Sequence, residues 1–137
     1  HAGESSGPEG VRDAIELLGA DRIDHGVRAI EDAAVVDLLV NRRIPLGVCP
    51  SSNLALGVYP SLSAHPLERL RQAGVLLSLN TDDPSLLSAS LPGEYALCAA
   101  HFGWSDDVLR ALAQTSIIAS FADADTKARL QSQLASW

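Results

Sequence analysis

Four short stretches of this chain gather residues that handle protons or metals. They are HAGE (residues 1–4), the His25-Gly26 pair that closes RIDHG, CPSSN (residues 49–53) and NTDDP (residues 80–84). Together they offer two histidines, one glutamate and two adjacent aspartates. Imidazole and carboxylate are suitable zinc ligands, and zinc lowers the pKa of water towards about 7. A further carboxyl group beside such a centre can act as a general acid. Each stretch also has an ordinary structural use. TDDP can cap a helix or form an Asx-turn. His25 before Gly26 suits a turn, and Glu4 suits the first turn of a helix, where the dipole favours an acid. An HxxE pair on a helix would put two ligands on one face, but Gly3 and the Gly7-Pro8 pair argue against a helix there. CPSSN reads as a turn. His65 and His101 fall inside helical patterns and read as structural or surface residues.

The elements that must position these groups alternate. Residues 8–18 have a first-turn proline, Val11, Ile15 and Leu18 on one face, and Gly19 as a stop, which predicts a helix. Residues 22–26 form a short strand ending in polar side chains. Residues 32–41 form a helix whose apolar side holds Val35, Val36, Leu38 and Leu39. Residues 44–50 form a second strand, 65–73 a third helix, and 75–80 a third strand whose nearly continuous apolar run suits burial on both faces. Three helices follow, over about 92–102, 106–119 and 123–135. Repeated strand-helix units with short apolar strands predict a parallel sheet with right-handed crossovers. Three strands, with the tail of another at His1, leave exposed edges if they stand alone. The polar stretches all follow strands, which is where a (β/α)8 barrel carries its chemistry. The fold expected is therefore α/β, the C-terminal half of a (β/α)8 TIM-type barrel, from the end of strand 5 through strand 8.

Composition narrows the function classes. The chain has 137 residues, a net charge of -7 and 47% hydrophobic residues, enough for one modest core. The acidic balance argues against a nucleic-acid partner, which would call for clustered Lys and Arg. No run approaches the roughly 18 apolar residues of a membrane span. Cys49 and Cys98 lie far apart with no CxxC, which suits two reduced thiols and a cytoplasmic location.

In order and spacing, HAGE-x-x-GP, LGADRI-x-HGV, CP-x-SN, HPL and NTDDP followed by Glu94-Tyr95 resemble the adenosine deaminase family of the amidohydrolase superfamily. The likeness runs along essentially the whole chain and is nearest to the bacterial adenosine and adenine-type deaminases. It implies a zinc-dependent purine aminohydrolase built on one barrel. His1 matches a zinc ligand and Asp82 a second one that also helps deprotonate the attacking water. Glu4 matches the acid that protonates purine N1. His25 matches the histidine that orients and polarises the attacking water, and Asp83 the aspartate that hydrogen-bonds purine N7. Ser52 lies near the site without an assigned role. The chemistry suits this set, because attack at C6 needs a strong nucleophile and N1 must gain a proton as the tetrahedral carbon forms.

The resemblance also implies two more zinc ligands from an H-x-H stretch, and none occurs here. Residues 1–137 are therefore expected to be the C-terminal half of a single deaminase barrel domain, with the N-terminal half elsewhere. By itself this segment is expected neither to hold zinc tightly nor to deaminate. The expected substrate is a small 6-aminopurine or its nucleoside, adenosine or 2'-deoxyadenosine first, with adenine or 6-aminodeoxyfutalosine as alternatives. Asp24 is familiar from the adenine-type branch, whereas Ser85 to Ala89 depart from the aromatic-Gly-Gly usual there. The rival expectation is a non-catalytic half-barrel that serves as an interaction module. The intact HAGE, HG and DDP stretches count against it.

Overall fold

The apolar centres of the three predicted strands pair with one another. The computed structural model describes residues 1–136. In it β1 (Ile23–Asp24), β2 (Leu46–Val48) and β3 (Leu77–Leu79) form a parallel sheet in the order β1-β2-β3. Ile23 pairs with Leu46, and Leu46 in turn with Leu77, which sets a single register across the sheet. The ladders are shorter than the apolar runs because the flanking residues already bend into loops. At the free edge of β1, Ala2 makes a parallel bridge to His25, the stub of the further strand expected at the chain's start. All three residues of β3 are buried, as its unbroken apolar pattern requires.

Helices α1 (Pro8–Glu16) and α2 (Ala33–Arg42) pack against each other, and α7 (Asp106–Ala119) against β3. Val11, Val35, Leu39, Leu46 and Leu67 are fully buried. Each such side chain contributes about 1.5–3 kcal/mol relative to exposure. Helix α1 ends two residues before the expected position. The Leu17 and Leu18 amides both donate to the Asp13 carbonyl, and Leu18 is left 82% exposed instead of joining Val11 and Ile15. A 3-10 turn over Val27–Glu31, not expected from the sequence pattern, follows Gly26 at φ 68°. Asp32 then caps α2 by accepting from the Ala34 amide at 2.9 Å.

The stretch read as a turn at CPSSN is instead helical. Helix α3 (Pro50–Ala55) starts with proline at its first position, where the missing N–H is no loss. Helix α4 (Leu67–Gln72) begins two residues later than expected, and the His65 side chain caps it by accepting from the Leu67 amide. Next come α5 (Pro84–Leu87) and α6 (Leu91–Phe102), and after α7 the chain closes with α8 (Ala124–Ala135). Glu68 ties α4 to the α6–α7 turn. It accepts from Arg71 at 2.8 and 2.7 Å and from the Trp104 indole at 2.7 Å. The Arg71 guanidinium holds the Glu68 carboxyl down at about 2. Cys49 and Cys98 are free and buried, and burial pushes both thiols up to about 12. No helix among the described residues is long and apolar enough to cross a membrane.

Candidate active site

Backbone pairing brings the first four residues against the end of β1. The Gly26 amide donates to the Ala2 carbonyl at 2.8 Å, and the Arg28 amide to the Gly3 carbonyl at 2.9 Å. Gly3 has φ 65°, and a Cβ there would run into Val11 Cγ2 and press on the Gly26 backbone. Glycine is therefore required in HAGE both for its conformation and for the close approach of two chain segments.

Four non-glycine residues have left-handed backbone conformations among the described residues. Arg43 and Ser88 close α2 and α5, an ordinary use. The other two are His25 at φ 67° and Asp82 at φ 61°. Such conformations cost about 1–3 kcal/mol and persist where the surroundings hold them. Here they turn each side chain off the end of its strand towards the other.

The result is a compact polar cluster. Ring nitrogens of His1 and His25 and a carboxylate oxygen of Asp82 all lie within 4.8 Å of one another. The His1 and His25 rings are 5.0 Å apart, and His25 Nε2 is 4.0 Å from Asp82 Oδ2. On its other side, His25 Nδ1 is 3.3 Å from Glu4 Oε1. His25 is almost wholly buried, whereas His1 lies at the surface. His1, His25 and Asp82 border an open cavity of about 350 Å³ that is also lined by Asp24, Cys49 and Asn80. Asp83 does not join the cluster. It is exposed, and its Oδ1 accepts from the Leu86 amide at 3.1 Å to cap α5. His101 is exposed, and His65 is buried, with Nε2 3.1 Å from Asn53 Oδ1.

Helix α3 supplies what the sequence pattern did not reveal. Two adjacent residues of its first turn reach two different carboxylates. Ser52 Oγ donates to Asp82 Oδ2 at 2.6 Å, and Asn53 Nδ2 donates to Glu4 Oε1 at 3.0 Å. Both side chains are buried. The start of α3 is held in turn by Glu94, a buried carboxylate that accepts from the Ser51 amide at 3.2 Å. In the sequence Ser52 has no evident role, and Asn53 reads only as a turn former. The signal available is two polar residues right after a first-turn proline that itself follows a strand.

A family profile described as adenosine deaminase matches residues 1–137. The chain belongs to the adenosine deaminase family. It is 47% identical over 134 residues to an adenine deaminase of Agrobacterium fabrum, covering 98% of this chain and 41% of that protein. The crystal structure of an adenine deaminase from Arthrobacter aurescens superposes on all of it with a TM-score of 0.96 at 34% identity, covering 42% of that chain. An amidohydrolase from Burkholderia ambifaria with bound zinc matches 98% of this chain and 38% of its own, with a TM-score of 0.88 at 29% identity. The chain thus spans about two fifths of the length of the family members it matches. The fold is the α/β half of a TIM-type barrel that the alternating pattern predicted.

The donor set suits the metal seen in the zinc-bound family member. Imidazole nitrogen and carboxylate oxygen are ordinary zinc donors, and atoms sharing one zinc lie up to about 4 Å apart. His1, His25 and Asp82 bring such donor atoms within 4.8 Å of one another. The Ser52 hydroxyl on Asp82 is the kind of outer hydrogen bond that orients a ligating carboxylate.

Proposed function

We propose that this chain carries part of the active site of a zinc-dependent deaminase acting on a 6-aminopurine, with the free base adenine as substrate. The observation that carries the proposal is the meeting of His1, His25 and Asp82 within 4.8 Å, with Glu4 on the far side of His25. The sequence motifs alone put the nucleoside first. The adenine deaminase names of the similar proteins move the proposal to the base. His1 and Asp82 would hold the zinc, and the two further histidines of the family's H-x-H stretch would lie outside these 137 residues. When bound, zinc makes water acidic enough to be a nucleophile at neutral pH.

The chain's own residues then have separate tasks. Asp82 takes the proton from the attacking water, with Ser52 keeping its carboxylate in place. His25 hydrogen-bonds the attacking oxygen and stabilises the charge that develops there. Its burial keeps competing water from that nitrogen. Glu4 delivers a proton to ring N1 as the bond to C6 forms, which moves electrons from the ring to nitrogen and leaves a tetrahedral carbon. The C6 amino group then takes the proton that Asp82 holds and leaves as ammonia, while the C6 hydroxyl gives up its proton, which returns to Glu4, as the carbonyl forms. Asp83, with Oδ1 engaged at the start of α5, meets purine N7 through its second oxygen, a hydrogen bond that requires a proton on that carboxyl group or on N7.

Ammonia release decides the proposal. The full-length protein is offered adenine, adenosine, 2'-deoxyadenosine and aminodeoxyfutalosine, with and without a chelator. Turnover of adenine that the chelator removes and zinc restores is the expected result. Preference for a nucleoside would overturn the substrate, and no ammonia from any 6-aminopurine would overturn the reaction.

A further inference from the structure

Behind Glu4 runs a chain of hydrogen bonds whose directions are fixed by chemistry. The Leu67 amide donates to His65 Nδ1 at 3.1 Å. Nδ1 therefore carries no proton, and in a neutral imidazole the proton sits on Nε2. His65 Nε2 lies 3.1 Å from Asn53 Oδ1, so it donates there. With its oxygen so engaged, Asn53 turns its NH2 to Glu4 Oε1 at 3.0 Å, and the same nitrogen lies 3.4 Å from His25 Nδ1. Asn53 is fully buried and His65 4% exposed, so water does not compete with either bond. The Tyr59 ring lies against His65 with centroids 4.9 Å apart and limits its tilt. Burial pushes the His65 pKa down to about 4, which keeps the ring neutral at neutral pH.

We propose that His65 is a positioning residue for Glu4, acting through Asn53 to set which carboxyl oxygen carries the transferable proton. The proposal rests on the reading of Glu4 as the acid that protonates the purine ring. An N–H held on Oε1 competes with protonation of that oxygen, so the proton is placed on Oε2. Without the His65 bond the Asn53 amide can turn over and present its oxygen to Glu4. That exchange would move the proton to Oε1, facing Asn53 and away from its acceptor. His65 touches neither the substrate nor the cluster of His1, His25 and Asp82.

Two substitutions separate this task from support of the fold. His65→Gln keeps a donor for Asn53 Oδ1 and loses the acceptor for the Leu67 amide. His65→Asn keeps the acceptor and loses the donor. In the full-length, zinc-loaded protein, His65→Asn is expected to lower kcat about 10- to 100-fold with KM and zinc content unchanged, while His65→Gln stays near wild type. Asn53→Ala is expected to match His65→Asn, and the double variant to lose no more than either single one. Full kcat in His65→Asn, losses confined to His65→Gln, or additive losses in the double variant would overturn the proposal. If His65→Asn does not fold, an unchanged kcat in Asn53→Ala overturns it. If wild-type protein releases no ammonia from any 6-aminopurine, the underlying reading has failed. Crystal structures then decide the positioning, which stands only if Glu4 Oε1 leaves Asn53 in His65→Asn and stays in His65→Gln.

Discussion

The ends of the strands and the C-terminal helix α8 are built by different physics. Helix α8 is stabilised largely by its own sequence and by α7. Its cap, Asp123, accepts from the Thr126 amide at 2.8 Å, three residues away, and no residue of the helix is fully buried. At the strand ends, by contrast, several polar side chains are fixed by residues far away in sequence. Glu4 is held by Asn53, Asp82 by Ser52, and Asn53 by His65. Local capping gives an element that tolerates change. Interlocked polar contacts give a site in which one substitution reaches several groups.

Breaking the strand-end region should have the larger consequences. Glu4→Gln in the full-length protein is expected to abolish ammonia release, by about 1000-fold or more, and to leave zinc content intact by metal analysis. Asp82→Ala should lose both activity and zinc. Retention of near-normal rates in Glu4→Gln would remove the glutamate from the reaction. Gly3→Ala should destabilise the protein by about 3 kcal/mol or more in denaturant titrations, because it combines a left-handed φ with a collision at Val11. Gly103→Ala also forces a positive φ but meets no neighbour, so it should lose only about 1 kcal/mol.

Titration sharpens the contrast further. The His65 pKa is lowered to about 4 in the folded chain, against 6.5 for an unperturbed histidine. The unfolded state therefore binds more protons between these values, and stability falls as pH drops from about 6.5 towards 4. Melting curves across that range should flatten in His65→Gln. Glu68 behaves differently, since its folded value is depressed to about 2 from 4.5. Its contribution is complete above about 4.5 and disappears as pH falls towards 2, and Glu68→Gln should remove that dependence. The smallest effect belongs to α8, where Asp123→Ala should cost about 1 kcal/mol and leave turnover unchanged.

Much of the fold was legible in the sequence because the deciding signals were local. Helix α7 runs over Asp106–Ala119 as its periodicity and first-turn acids indicate, and the three strands sit inside their predicted ranges. Departures came where a tertiary contact outbid a local pattern. Helix α4 starts at Leu67, whose amide is capped by the His65 side chain, and CPSSN is helical with its Ser51 amide held by Glu94, more than forty residues away in sequence.

The sequence by itself determined the alternating α/β order, the placement of polar stretches after strands, and the residue types that zinc and proton transfer require. It also held the need for glycine beside His1 and His25, without the reason. Only the tertiary structure decided which side chains meet. Left-handed backbone at His25 and Asp82 turns them together, and α3 delivers Ser52 and Asn53 to separate carboxylates. Hydrogen-bond partners are chosen by distance and by the exclusion of water, and neither is a property of spacing along a chain.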